Sequence, residues 1–257
     1  MSGTPKIRLR GLSKSFNGKT VLDGVDLDVA AGEGMVILGG SGSGKSVTIK
    51  CILGLIRPDA GTIEIDGRDV LAMSRREREA INDRIGMLFQ NAALFDSLPV
   101  WENVCFKLLA QKRITRAKAR DKAAEILAQV GLAASVGDLS PAELSGGMQK
   151  RVGLARAIAA EPDIIFFDEP TTGLDPIMGA VIDGLIVDVV QRLGATTVSI
   201  THDMASARRI GTTAAMIHKG RIIWTGPAAS LGETGNAMVD QFARGEREGP
   251  IQMELRK

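Results

Sequence analysis

With 257 residues, 44% of them hydrophobic, the chain is long enough for one large domain or two small ones around a real core. Lys+Arg 32 against Asp+Glu 30 leaves a formal +2, so bulk charge gives no argument for nucleic acid or an anionic membrane surface as partner. Met1 to Lys6 lacks the apolar core of a signal peptide, and no run of about eighteen apolar residues occurs, so a cytosolic protein that does not span a bilayer is expected.

Residues 7–12 and 25–29 alternate apolar and polar side chains as half-buried antiparallel strands do, so a β-layer opens the chain. Within it, Lys14-Ser15-Phe16-Asn17-Gly18 places a ring at a turn, where Phe16 serves either to stack on a purine base or as an ordinary core or exposed phenylalanine. Met35-Val36-Ile37-Leu38 reads as a buried strand and residues 47–55 as a helix packed on a sheet. Between them, Gly39-Gly40-Ser41-Gly42-Ser43-Gly44-Lys45-Ser46 fits the pattern of a glycine, four residues, then glycine, lysine and serine. The glycines let backbone N–H groups curl around phosphate oxygens, and the helix N-terminus adds partial positive charge. Lys45 is then placed to reach the β- and γ-phosphates of a nucleotide, and the Ser46 hydroxyl to ligate Mg²⁺.

Arg57-Pro58-Asp59-Ala60-Gly61 ends that helix, residues 62–67 form a strand with an Asp-Gly turn, and the charged run 74–84 reads as a solvated helix face. Ile85-Gly86-Met87-Leu88-Phe89 is a further strand, finishing at Gln90. From 100 to 131 the residues favour helix, with Ala123, Ile126, Leu127 and Val130 on one stripe, so a helical subdomain inserted between strands is expected over residues 91–160. Its entry, Leu94-Phe95-Asp96-Ser97-Leu98-Pro99-Val100-Trp101, supplies either core packing or a partner-binding surface. Cys51 and Cys105 sit in apolar surroundings without metal-like spacing and read as reduced core residues.

In Leu144-Ser145-Gly146-Gly147-Met148-Gln149, Ser145 caps a helix over 148–159 and the glycines leave N–H groups bare at its start, a second anion site. Ile164-Ile165-Phe166-Phe167 reads as a central parallel strand that delivers Asp168 and Glu169 at its carboxyl end, where ligands of open α/β sheets gather. Asp168 is suited to hold Mg²⁺ through its shell and Glu169 to polarise the attacking water. Asp175-Pro176 opens the next helix and Gly194 closes it. The strand 196–200 ends at Thr201-His202-Asp203, which puts His202 near the expected phosphates in a catalytic role. Strands over 214–217 and 221–224 form a hairpin in which His218 is only a turn residue. A short amphipathic helix over 238–242 precedes a tail that loses periodicity from Arg244 to Pro250.

With these pieces in order, residues 7–231 resemble the nucleotide-binding subunit of an ABC transporter, with the segment Leu144 to Gln149 shortly before Asp168-Glu169 as the most discriminating match. The resemblance implies an α/β fold with a P-loop NTPase (RecA-like) core, an N-terminal antiparallel β-layer and the helical insertion, as a domain over 1–240 with a tail over 241–257. It implies that ATP is held by Gly39, Gly40, Ser41, Gly42, Ser43, Gly44, Lys45, Ser46 and Val47, with Mg²⁺ on Ser46, Gln90 and Asp168. Phe16 matches the adenine-stacking aromatic, where tyrosine is common and a hydroxyl contact is lost; Gln90 matches the Q-loop, Asp175 the D-loop and His202 the switch histidine. Two such subunits close head to tail around two ATP, so Ser145, Gly146 and Gly147 of one copy clamp the γ-phosphate held by Lys45 of the other.

Residues 94–104, Thr201-His202-Asp203-Met204-Ala205-Ser206-Ala207, Val239-Asp240-Gln241-Phe242 and Gly249-Pro250-Ile251 are similar to the ATPases of MCE-associated, Mla-type phospholipid transporters. That similarity implies a membrane permease, a periplasmic MCE lipid-binding component, a tail that reaches the opposite ATPase, and residence on the cytoplasmic face of the inner membrane, without nucleic acid. The alternatives are an ABC ATPase for another cargo and a soluble ABC remodelling protein. The latter generally has two cassettes or a long coiled-coil insertion, and this chain shows neither.

Overall fold

The computed structural model describes residues 4–252; the last residues of the expected tail, 253–257, lie outside the described residues. In chain order the elements are β1 (Ile7–Phe16), β2 (Lys19–Val29), β3 (Gly34–Leu38), α1 (Lys45–Ile52), β4 (Ala60–Ile65), β5 (Arg68–Asp69), α2 (Arg75–Asn82), β6 (Ile85–Leu88), α3 (Val100–Ala110), α4 (Arg116–Gln129), α5 (Gly146–Ile158), β7 (Ile164–Asp168), α6 (Pro176–Leu193), β8 (Thr196–Ile200), α7 (Met204–Ile210), β9 (Thr213–His218), β10 (Arg221–Pro227) and α8 (Ala237–Arg244). They fall into two compact units, Met1–Ala72 with Ile200–Lys257, and Met73–Ser199.

In the first unit the expected β-layer is an antiparallel sheet in the order β2-β1-β4-β5. Ile7 and Leu9 turn one face of β1 inward by period-two alternation, and Leu12 rejoins that buried face because the register shifts between Leu9 and Leu12, where Gly11 takes φ 58°. β3 is buried along its whole length and runs parallel to β9, pairing Met35 with Thr213 and Leu38 with Met216, while β9 and β10 form the expected hairpin. Val36 and Leu38 of β3 pack with Ala214 and Met216 of β9, Ala207 of α7 and Val239 of α8. Helix α7 has no counterpart in the sequence reading. It spans 7 residues, too short to show a period, and Asp203 caps it by accepting from Ala205 and Ser206 N–H. The stretch after α8 is tied down rather than loose: the Gln241 amide donates to Ile251 O at 3.0 Å and accepts from Ile251 N at 2.7 Å.

In the second unit β6 and β7 are parallel, pairing Ile85 with Ile164 and Leu88 with Phe167. Helix α5, with Leu154, Ala157 and Ile158 among its buried residues, packs against β6. Glycine permits the closest approach: a Cβ on Gly86 would lie 2.3 Å from Ala157 O, and one on Gly153 would lie 2.7 Å from Leu88 Cδ1. The open choice at the helical entry resolves residue by residue. Val100 and Trp101 are core, while Phe95 is 43% exposed with its ring centroid 4.5 Å from that of Phe106. The buried Asn103 amide holds this turn, accepting from Phe95 N at 2.8 Å and donating to Leu98 O at 3.0 Å. The Arg116 and Arg120 guanidiniums of α4 each lie 5.0 Å from the centroid of the Trp101 ring. Cys51 and Cys105 are buried free thiols whose pKa values burial pushes up to about 11, which leaves them inert at neutral pH.

The Gly86–Ala157 approach leaves no room for a methyl group. Gly86→Ala is expected to destabilise the protein by about 1–3 kcal/mol, as overpacking against backbone does. Urea unfolding measures it, and an unchanged midpoint would contradict the packing of α5 on β6.

Candidate functional site

The first unit carries the glycine loop. β3 delivers the chain to Gly39 at φ 151°, where a Cβ would stand 2.3 Å from Ile217 O and 2.8 Å from Ser43 Oγ. Gly44, at φ 112°, would meet Leu22 Cδ2 at 2.6 Å and Val21 O at 2.9 Å. Both the backbone angle and the lack of space therefore demand glycine at these two positions. Gly44 caps α1 without any side-chain hydrogen bond, so the first N–H groups of the helix are not consumed by a capping side chain. α1 starts at Lys45 rather than at 47, because the loop itself supplies the cap.

Lys45 bends back over the loop, donating to Gly39 O at 2.7 Å and Gly40 O at 2.9 Å. Ser43 Oγ is buried without a hydrogen-bond partner, while Ser41, Gly42 and Ser46 are exposed and Gly40 and Val47 half-buried. An orphaned hydroxyl inside a cradle of bare N–H groups fits a phosphate oxygen as its missing acceptor. Phe16 is 41% exposed with Lys14 Nζ 5.4 Å from its ring centroid, so it is not a core phenylalanine. His202 is exposed at the end of β8, directly before the Asp203 cap of α7.

The second unit carries Gln90, Ser145, Gly146, Gly147, Asp168, Glu169 and Asp175. Ser145 caps α5, accepting from Met148 N at 3.3 Å. The Asp175 carboxylate caps α6, accepting from Ile177 and Met178 N–H at 3.0 Å each. The two helix starts adjoin, since a Cβ on Gly147 would lie 3.2 Å from Met178 Cγ. Asp168 and Glu169 are half-buried at the end of β7; Glu169 adopts φ 52°, and its Oε2 accepts from Thr172 Oγ1 at 2.7 Å. Gln90, just past β6, is exposed.

The sequence reading passed over Lys150. Only 5% exposed, its ammonium donates to the backbone carbonyls of Gln90 and Glu169, at 3.2 Å for the latter. Burial holds its pKa below the usual lysine range, and the neighbouring Glu169 and Asp168 carboxylates oppose that shift. The available signal was a lone cation four residues before the buried Leu154 and seven before Ala157, on the face of α5 that packs inward. Among the described residues there is no cluster of three or more His, Cys, Asp or Glu side chains that could hold a metal ion by itself.

Residues 22–172 match the family model described as ABC transporter. The chain belongs to the ABC transporter family. ABC ATPases bind ATP and couple its hydrolysis to transport, and this chain is such an ATPase. It is 40% identical over 251 residues to the "probable ribonucleotide transport ATP-binding protein mkl" of Mycobacterium leprae (strain TN), covering 98% of this chain and 72% of that one. It is 36% identical to the "intermembrane phospholipid transport system ATP-binding protein MlaF" of Haemophilus influenzae, covering 96% of this chain and 94% of that one. Among solved structures, a dimeric post-hydrolysis state of the ATP-binding cassette MJ0796, bound to ADP and phosphate, superposes with a TM-score of 0.79 at 31% identity, covering 86% of this chain and 98% of that one. No described helix of this ABC ATPase is long and apolar enough to cross a membrane.

The orphaned hydroxyl makes a prediction with two signs. Ser43→Ala is expected to leave stability measured without nucleotide equal or slightly higher, because no existing hydrogen bond is lost, while weakening ATP binding about tenfold. Thermal unfolding and nucleotide titration read the two effects, and unaltered affinity would show that Ser43 does not face the phosphates.

Proposed function

We propose that this chain is the ATPase subunit of a phospholipid transporter of the cell envelope, working as a pair of identical copies on the cytoplasmic face of a membrane permease, with an MCE-type lipid-binding component beyond it. What carries the ATP half is the glycine loop, with Lys45 folded over it and the Ser43 hydroxyl unpaired. What supports the lipid half is the phospholipid relative, aligned over nearly the full length of both chains. In this reading cargo choice belongs to the permease.

In this reading the N–H groups of residues 39–46 and the ammonium of Lys45 bind the triphosphate, Val47 continues the helix start beneath it, and Phe16 stacks on adenine. The Ser46 hydroxyl, the Asp168 carboxylate and the Gln90 amide are the groups that would hold Mg²⁺. A donor set with one carboxylate suits an ion carried largely by the phosphates. Bound there, Mg²⁺ would neutralise charge on the β- and γ-phosphates. Glu169, its carboxylate oriented by Thr172, holds the attacking water in line with the γ-phosphorus and draws off its proton; His202 donates toward the charge that develops on the γ-phosphate. Ser145, Gly146 and Gly147 of the second copy present a helix start to the same phosphate, and Asp175 fixes the adjoining segment. ATP therefore bridges two chains and its cleavage releases them; the stretch from 241 onward provides a further contact with the opposite copy.

A second reading rests on the mycobacterial relative, whose name specifies ribonucleotide transport. ATP turnover by the permease-bound complex separates the two, rising with phospholipid in the first case and with ribonucleotides other than its own ATP in the second.

The bridging role is tested by mixing. Lys45→Ala and Ser145→Arg chains are each expected to be nearly inactive, and mixing them to restore part of the ATPase activity through one intact composite site per pair. Wild-type turnover by either variant alone would refute a shared site.

A further inference from the structure

On the ATPase reading above, we propose that Lys150 is the positioning residue that couples Gln90 to Glu169, so that movement of the Q-loop reaches the group that holds the attacking water. Two motifs meet on one side chain. Lys150 stands five residues after Ser145 on the rigid α5 helix, and its ammonium holds the carbonyl oxygen of Gln90 and, at 3.2 Å, that of Glu169. The two carbonyls lie just past the carboxyl ends of β6 and β7, which are paired in register.

The physics favours a positioning device over a merely satisfied core lysine. The ammonium of a residue only 5% exposed is costly to bury, and it is retained here by acceptors that belong to functional loops rather than to a structural turn. Glu169 adopts φ 52°, a left-handed backbone that is strained for a side-chain-bearing residue and persists only when its surroundings hold it. The Lys150 bond to Glu169 O supplies part of that hold, while Thr172 Oγ1 fixes the carboxylate itself at 2.7 Å. Because Gly153 admits α5 so close to Leu88 and Ala92, a shift of the chain after β6 cannot be absorbed by slack, and it moves the ammonium that both carbonyls share.

The test compares wild type, Lys150→Met and Lys150→Arg in the assembled permease complex. Lys150→Met keeps the length of the side chain and removes the donors; kcat and the stimulation of turnover by the permease are expected to fall at least about tenfold, with KM for ATP within about twofold of wild type. Lys150→Arg, which keeps a charge and several donors, is expected to recover most of the lost kcat. Amide exchange on the same proteins is expected to show residues 89–93 and 169–172 losing protection together in Lys150→Met. A Lys150→Met protein with native kcat and stimulation overturns the proposal. So does a parallel fall in kcat, ATP affinity and melting temperature that Lys150→Arg fails to restore, which marks a side chain that only holds the fold. A wild-type complex that hydrolyses no ATP defeats the ATPase reading alone. Amide exchange then decides the Lys150 tie: joint loss of protection in the two segments upholds it, and unchanged protection in either one removes it.

Discussion

Backbone N–H groups can wrap a triphosphate only where the chain turns them inward and nothing on the α-carbons stands between, and the rest of this molecule is arranged around a stretch that meets both conditions. At Gly39 and Gly44 the backbone takes left-handed angles and neighbouring atoms lie within 3 Å of where a Cβ would sit, so sterics and conformation each require glycine. The price is conformational entropy, and it is offset by anchoring on either side. β3, buried along its length, fixes the entry, and α1 begins on the loop's last glycine. Lys45 shows how such a loop is poised: its ammonium rests on two neutral carbonyls, and exchanging them for charged phosphate oxygens adds the attraction of opposite charges to each hydrogen bond.

The second unit solves a different problem, that of making separate loops answer to one another. Its means is close packing of one helix on adjacent strands. Gly86 and Gly153 remove the side chains that would hold α5 away from β6, and that approach brings Lys150 within reach of the segments after β6 and β7. The start of the same helix carries Ser145, and the start of α6, capped by Asp175, rests beside Gly147. A helix is stiff over its first turns, so a displacement at one of these groups is passed on rather than dissipated. Exposed aromatic side chains at Phe95 and Phe106 lie on this unit as well, at the entry that the sequence left open between core and partner surface.

Much of this was legible in the residues because the motifs carry their physics locally. The alternation at the start of β1, the apolar runs Met35 to Leu38 in β3 and Ile164 to Phe167 in β7, the Asp175-Pro176 helix start and the Gly194 stop each declare their element within a few positions. What escaped were features decided by distant packing. Helix α7 is too short to show a period. The ordering of residues 245–252 depends on the Gln241 amide standing in for a strand partner to Ile251. The partners of Lys150, at positions 90 and 169, lie in sequence far from it on either side, and no local pattern names them. In the sequence Phe16 reads as a base-stacking ring or as an ordinary core or exposed phenylalanine, and its exposure removes the core alternative alone.

The central claim is that ATP joins two copies of this chain and that hydrolysis parts them. Sedimentation of the purified ATPase, with hydrolysis blocked by a non-cleavable ATP analogue and compared with ADP, measures it directly. The account predicts the mass of two chains with the analogue and of one chain with ADP at the same protein concentration. A single chain under both conditions, from protein that hydrolyses ATP at full rate, would contradict it.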